Sequence, residues 1–579
     1  MKVIFKHFKS TQIIFLILII LDVIGQVTLE LKMPEYSAKL TTIVSSGSIN
    51  MSDVYYNGSM MILCAVASLA LALINSFFLA KFSSSISASI RNSIFEKVSK
   101  FSMSEINKFE TSSLITRNTN DVVQIQNFLG MGTGLLFRAP ITAIWAICKI
   151  STSHVYWTLS TLVAVLIILV FVILNICISL PKFKKIQSLT DELNLRSREN
   201  MQGVRVIRAF DANDYQTNKF ENTNKNIYKN NLFVSLVSGC LMPIITLVMN
   251  GLTLAIYWLG AYIIDGTEGL AAKALQLGNM TAFSSYALQI VMAFMMLIMI
   301  FMLLPRVLVS LKRIQEVLDT EPSIKDGFKT NDIHEGKIEF IDVSFSYTND
   351  DKYNVSNLNF TINKGETVAI IGPTGSGKST IANLINRSYD VSSGSILIDG
   401  LNIKEYKLSD LNNRVSIAHQ KAMLFKGSVK SNITYGAKEI NEDRLNRALD
   451  ISKSEFINDY KGLDTEVSQG GTNFSGGQKQ RLSIARTLYK DSDIFIFDDT
   501  FSALDFKTDQ MVRIGIKDYY SDKTIIIIAQ RIGTVKNADK IIVLDDGKID
   551  SIGTHQELMK SSKLYQEIAL SQLEKEELE

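Results

Sequence analysis

Hydrophobic and polar positions divide this chain into two unlike halves. Up to about Pro305, long apolar runs alternate with polar stretches. Beyond Ile333, short apolar runs alternate with turn residues and amphipathic segments, the pattern of a soluble α/β domain. Six runs, near 11–29, 59–82, 132–152, 156–180, 233–264 and 280–304, are long and apolar enough to cross a bilayer as helices. About 20 residues rising 1.5 Å each cover the hydrocarbon core, and a helix satisfies its own backbone there. The third and fourth runs are joined by only Ser153, His154 and Val155, which makes them a tight hairpin. The fifth exceeds the hydrocarbon thickness, so its ends are expected to project into water. The two long connections, after the second and fourth runs, read as helical continuations of the spans. Within them, the segments from Thr111 to Arg117 and from Glu199 to Phe210 mix apolar and charged residues. Both patterns fit docking elements for the soluble half and equally fit plain amphipathic connectors.

Charge sets the expected orientation. Lys2, Lys6 and Lys9 precede the first span. Lys81, Arg91, Lys97, Lys100, Lys108 and Arg117 follow the second, and Lys182, Lys184, Lys185, Arg196, Arg198, Arg205 and Arg208 follow the fourth. The opposite connections hold only Lys32, Lys39 and Lys273. Basic residues stay on the cytoplasmic side, so both termini and the soluble half are expected there. The first run lacks a small-residue cleavage site and is followed by more spans, and no Arg-rich transit segment precedes it. The expectation is a multi-pass protein of a bacterial plasma membrane. A net charge of +3 over 579 residues gives no basis for nucleic-acid binding. Cys64, Cys148, Cys177 and Cys240 are scattered through apolar runs, without the spacing of a disulfide framework or metal cluster.

Ionisable residues in apolar spans normally face a bundle interior or a cavity. Asp22 is expected to pair helices or serve function, whereas Arg138 and Lys149 are expected to snorkel to the interfaces. Met292, Met295, Met296, Met299 and Met302 recur at mostly helical spacing on the sixth span. That stripe fits an adaptable apolar ligand surface, or ordinary packing.

The chemistry-bearing residues lie in the second half. Gly372-Pro373-Thr374-Gly375-Ser376-Gly377-Lys378-Ser379 follows a short apolar run, Thr367 to Ile371, and opens a helical pattern from Thr380 to Ile385. This is the phosphate-binding arrangement: glycines let backbone N–H groups close on phosphate oxygens, and the helix N-terminus adds positive potential. Lys378 then reaches the outer phosphates and the Ser379 hydroxyl ligates Mg²⁺. Gln420 follows in Ile417-Ala418-His419-Gln420. Next comes Ser475-Gly476-Gly477-Gln478 at the start of a helix. A buried strand ends in Asp498 and Asp499, Ser502-Ala503-Leu504-Asp505 follows it, and a later strand ends in Gln530.

In this order, these residues resemble those of the ATP-binding cassette exporters, in the six-span half-transporter arrangement, over essentially the whole chain. The resemblance identifies Gly372 to Ser379 as the Walker A loop, with Thr380 beside it. It identifies Gln420 as the Q-loop, Ser475 to Gln478 as the signature, Asp498 as the Walker B carboxylate and Ser502 to Asp505 as the D-loop. Tyr347 looks like the aromatic that stacks on adenine. Ser379, Gln420 and Asp498 are the implied Mg²⁺ ligands. The implied fold is an all-α six-helix transmembrane domain (1–320), a linker (321–335) and an α/β P-loop nucleotide-binding domain (336–579). The resemblance also implies two cassettes packed head to tail around two ATP molecules, each ATP touching the phosphate loop of one and the signature of the other.

Two positions depart from the family pattern. Where the family carries Glu after the Walker B Asp, this chain has Asp499. Where it carries His at the end of the later strand, this chain has Gln530. Both are hydrolytic positions, while the binding groups and the signature are intact. The expectation is a site that holds ATP and cleaves it slowly, as in one half of the heterodimeric exporters, with the signature serving a different partner subunit. The expected cargo is a hydrophobic or amphipathic compound, drug- or lipid-like, moved out through the membrane. Alternatives left open are a homodimeric lipid or peptide exporter, an ATP-gated channel and a regulatory protein on the same architecture.

Overall fold

The structure is a computed structural model. It describes residues 10–47, 49–151, 154–348 and 353–572, with the backbone alone at 301 and 302. Lys2, Lys6, Lys9, Thr152, Ser153 and the side chain of Met302 therefore lie outside the described residues. The chain groups into two compact units. One is Met1–Glu96 with Ser113–Asp319, and the other is Lys97–Ser112 with Thr320–Glu579.

Among the described residues, the first unit contains six helices long and apolar enough to cross a membrane: Ser10–Ser45, Met51–Val98, Thr111–Ile150, Val155–Ala209, Asn213–Asp265 and Leu270–Asp319. Each expected span lies within one of them, apart from Ser151, which follows the third helix, and Thr152. The second helix buries Cys64, Ser68 and Asn75 while exposing Leu63, Val66, Leu69 and Leu73. Small and polar groups inside with leucines outside is the inverse of a soluble helix, and it suits a bundle whose outer face meets lipid. The third helix carries two π-helical turns, Arg117–Asp121 and Phe128–Gly132.

Polar contacts tie this bundle together. Asn175 donates to the Val237 carbonyl at 2.9 Å, and the Tyr286 hydroxyl donates to the Leu31 carbonyl at 3.1 Å. Asp22 is buried, with Oδ2 lacking a hydrogen-bond partner among the described residues. Arg138 and Lys149, the side chains expected to snorkel, each meet a carboxylate of the first helix. Arg138 donates to both carboxylate oxygens of Glu30 at 2.8 and 2.9 Å, and Lys149 pairs with Glu35 at 2.5 Å. Both acids lie beyond the apolar run of the first span, on a helix that continues to Ser45.

The second unit is built on twelve strands. In chain order these are β1 (Ile338–Phe345), β2 (Val355–Ile362), β3 (Thr367–Ile371), β4 (Ser393–Ile398), β5 (Leu401–Asn402), β6 (Val415–Ala418), β7 (Gly427–Ser428), β8 (Glu466–Val467), β9 (Ile494–Asp498), β10 (Thr524–Ile528), β11 (Lys540–Asp545) and β12 (Lys548–Gly553). A six-stranded sheet runs β12-β11-β3-β10-β9-β6, parallel except for the edge strand β12. Its central strands are isoleucine-rich and fully buried because helices or sheet cover both faces. A second, antiparallel sheet, β2-β1-β4-β5, shares one core with it through Phe340, Leu358, Val368 and Ile526.

The segment expected as a linker is knitted into this unit. Buried Arg414 donates to the carbonyls of Asn331 and Ile333 and pairs with Asp399 at 3.2 Å. The short helix Met103–Phe109 also belongs here. Ser102 caps it with Glu105 in a reciprocal box, Glu105 accepts from Ser323 N at 3.2 Å, and Asn107 donates to the Tyr389 hydroxyl at 3.1 Å. The stretch that joins the soluble half is thus 97–112, mostly just ahead of the one singled out from pattern.

Candidate nucleotide site

Strand register assembles the site. β10 pairs with β9 so that Ile528 faces Asp498, and both strands end at the same edge of the sheet as β3. Open parallel sheets bind ligands beyond the carboxyl ends of their strands. The phosphate loop leaves β3 there, and the helix Lys378–Ile385 follows it. Gly377 adopts φ +94°, and a Cβ on it would lie 2.6 Å from Val355 Cγ1 and 2.9 Å from the Asn354 carbonyl. A Cβ on Gly372 would lie 2.2 Å from the Leu544 carbonyl. No larger residue fits either position. Lys378 donates to the carbonyls of Gly372 and Pro373 at 2.9 and 2.8 Å. Burial holds its pKa below the ordinary lysine value, against the pull of Asp499 and Asp498.

Ser379 donates to Asp498 Oδ1 at 2.8 Å. Burial pushes the Asp498 carboxyl above its usual value, and the Ser379 bond and nearby His419 partly counter this. Asp499 adopts a left-handed backbone (φ 47°), and its N–H donates to the Ile528 carbonyl at 2.8 Å. Its Oδ2 accepts from Gln420 Nε2 at 2.9 Å and from Gln530 Nε2 at 3.1 Å. The two departures from the family pattern therefore touch each other, and the Q-loop glutamine touches the same oxygen. Ser502 donates to the Asp499 carbonyl at 2.7 Å, and Asp505 caps the helix Phe506–Tyr519.

Tyr347 is partly exposed beside the loop helix. Its hydroxyl donates to Thr380 at 3.2 Å and accepts from Asn383 at 3.4 Å, and its ring meets Phe345 and Tyr389 edge-on. Thr374 and Gly375 lie at the turn of the loop, where Gly375 takes φ +88°. Ser475 caps the helix Gly476–Tyr489: its hydroxyl accepts from Gln478 N at 3.3 Å, while Gln478 Oε1 accepts from Ser475 N at 2.9 Å. Gly476 and Gly477 form the first turn, so free N–H groups face outward at a positive helix end.

Sequence reasoning missed a support beneath these groups. Gln480 donates to the His419 carbonyl at 3.0 Å, tying the signature helix to the strand that carries Gln420. Burial lowers the pKa of His419, and Asp498 partly counters this. An amide two residues beyond the signature was the available signal, and only proximity gives it meaning.

The loop fits a phosphate group. Buried Ser376 lies within it with Oγ lacking any partner among the described residues. An unpaired buried hydroxyl carries a cost of about 1–3 kcal/mol that an anion would relieve. Ser379 and Asp498 present oxygen donors of the hard type that Mg²⁺ takes.

In the membrane unit, Met292 and Met296 line a cavity of 440 Å³ with Met33 and Met61. Met299 is exposed.

Comparison with known proteins agrees with this architecture. Residues 15–294 match the family model described as ABC transporter transmembrane region, and residues 355–502 match the model described as ABC transporter. An uncharacterized ABC transporter ATP-binding protein of Mycobacterium bovis is 36% identical over 467 residues, covering 79% of each chain. Another, from Bacillus subtilis, is 33% identical over 558 residues and covers 95% of each. An ATP-dependent lipid A-core flippase of Haemophilus influenzae is 30% identical over 388 residues, 66% of this chain and 65% of its own. Among solved structures, a bacterial Atm1-family ABC exporter with ATP bound shares the fold with a TM-score of 0.80, at 23% identity over 96% of this chain and 98% of that one. Six apolar helices fused to a cassette that binds ATP, with relatives matching along nearly the whole length, make this a membrane protein that belongs to the ABC transporter family, and its fold is the one seen in an exporter.

Proposed function

We propose that this chain is the degenerate-site subunit of a heterodimeric exporter that moves amphipathic, lipid- or drug-like compounds out of the cytoplasm of a bacterial cell. The observation that carries this reading is the Asp499 cluster. Its carboxylate is one methylene shorter than the Glu usual there. One of its oxygens is held by two amides, and the group beside it is Gln530, which takes up no proton at neutral pH. General-base assistance contributes about 10²–10⁴ in rate and depends on ångström-scale placement. Binding groups face no such deficit: Lys378, Ser376 and the loop N–H groups suit a triphosphate, and Tyr347 suits an adenine ring. Ser379, Asp498 and Gln420 would hold Mg²⁺, which supplies charge neutralisation at the phosphates.

In this reading Ser475 to Gln478 serve ATP held by the partner's phosphate loop, where hydrolysis occurs. Closure of the two cassettes on ATP turns the membrane cavity outward. Support for an amphipathic cargo comes from the flippase relative and from the methionine-lined cavity. The test is ATPase activity of the purified chain alone and with its partner. Turnover alone is expected to be negligible and to appear with a partner that carries Glu and His. Ser475→Ala should abolish turnover of the pair, whereas Asp499→Asn should change it less than about twofold. Brisk hydrolysis by the isolated chain, or equal damage from both changes, would overturn the division of labour.

A further inference from the structure

We infer that the cavity between Glu30 and Arg138 is a subsite for the head of a zwitterionic amphiphile, which exchanges partners with that ion pair. This names a cargo class for the exporter proposed above and rests on that reading. The cavity holds 440 Å³ and is walled by the first, second, third and sixth helices of the membrane unit. Its polar wall includes Glu30, Arg138, Thr142 and Gln289 with two serines, and its apolar wall is mainly the four methionines already described.

Glu30 accepts from Arg138, Gln26 at 2.9 Å and Ser68 at 3.4 Å. Gln289 Oε1 and Thr142 Oγ1 are buried without a hydrogen-bond partner among the described residues. Pro34 leaves the Glu30 carbonyl without the helical N–H it would otherwise receive. Gln289 Oε1 is thus a buried acceptor on the wall with no donor among the described residues, and a head that brings N–H groups matches it. Charge selects further. A singly charged head that pairs with Glu30 or Arg138 leaves the other side chain, a quarter to a third exposed, without its ion partner. A head with both charges satisfies each partner and keeps the sum at zero. An ammonium meets Glu30 and Gln289, an anionic oxygen meets Arg138, and the chain lies on adaptable methionines.

The test uses photoreactive alkyl probes with one chain and four heads, phosphoethanolamine, phosphocholine, phosphate and primary ammonium, on the full chain in maltoside micelles. Cross-links to the cavity wall are quantified by mass spectrometry. The phosphoethanolamine probe should label at concentrations at least tenfold lower than the phosphate or ammonium probe. Glu30→Gln should transfer the preference to phosphate, and Arg138→Gln should transfer it to ammonium. Gln289→Leu leaves the ion pair intact. It should weaken phosphoethanolamine labelling severalfold and spare phosphocholine, which has no N–H. If either charge variant does not fold, the wild-type ranking and Gln289→Leu decide the matter. A pair that only holds helices together would give no ranking among heads, and equal labelling by the singly charged probes overturns the inference. ATP-driven uptake into inverted vesicles separates the two readings. Ranked labelling without uptake leaves the subsite standing and removes the exporter reading. Uptake of other amphiphiles without ranked labelling does the reverse.

Discussion

The most direct test of the hydrolytic argument is to restore the two altered positions together, as Asp499→Glu with Gln530→His. In the structure Asp499 Oδ2 accepts two amide hydrogen bonds, at 2.9 and 3.1 Å. Hydrogen bonds to a charged group are worth about 1.5–3 kcal/mol each, so freeing this oxygen for a water costs about 3–6 kcal/mol. At 1.36 kcal/mol per tenfold, that is a slowing of about 10²–10⁴. The general-base contribution estimated independently has the same size. The longer side chain carries the carboxylate about 1.5 Å further from the backbone, and Gln530→His exchanges one restraining amide for an imidazole that can also take up a proton. Asp499 sits at φ 47°, where Asp is tolerated better than Glu, so some folded stability will be lost. The assay is steady-state phosphate release by the purified chain, with dimers verified by light scattering and Lys378→Ala as the inactive control. A rise of at least about 10² is expected for the double variant and a smaller one for each single change. A double variant that binds ATP and dimerises yet releases phosphate no faster than the unaltered chain would refute the argument.

Gly377→Ala forces a Cβ against Val355 and Asn354 at a left-handed backbone position. The left-handed conformation alone costs about 1–2 kcal/mol, and titration with a fluorescent ATP analogue should show at least a tenfold loss of affinity. Burial raises the pKa of Glu105, but hydrogen bonds from Ser102 and Ser323 outweigh it and leave the carboxyl below its ordinary value of 4.5. A depressed carboxylate stabilises fully above its unfolded pKa and less as pH falls through the folded one. Amide protection of Met103–Phe109 should therefore hold from pH 7 to 5 and weaken below about 4.5. Glu105→Gln should remove that dependence and cost the helix about 1–2 kcal/mol of protection at neutral pH.

Much of this molecule could be read from residue order alone, for reasons that differ by element. The spans were legible because lipid demands long apolar runs, and β3 with its loop because glycine and lysine spacing follows phosphate geometry. The fusion of a six-helix unit to a P-loop cassette agrees with that reading. What local pattern could not show is pairing across distance. Glu30 and Glu35 look like the solvated end of a span until Arg138 and Lys149 are brought beside them. Asp499 and Gln530 were each visible as the polar tip of a buried strand. Their contact depends on β9 and β10 being neighbours in a stated register, which no periodicity encodes. The helix Met103–Phe109 was hidden for a similar reason: seven residues carry too little periodicity to reveal which half they join.

The fourth helix, Val155–Ala209, runs 55 residues with Pro181 inside it, where one backbone hydrogen bond is missing. At 1.5 Å per residue it is a rod of about 80 Å, while the hydrocarbon core needs about 30 Å of it. Pivoted near Val155, such a rod converts a tilt of about 10° into a sweep of about 14 Å at the far end. A lever of this ratio trades force for distance. Small angular slack among the packed helices would become large excursions at Ala209, and stiffness along the shaft would matter as much as the chemistry that drives it.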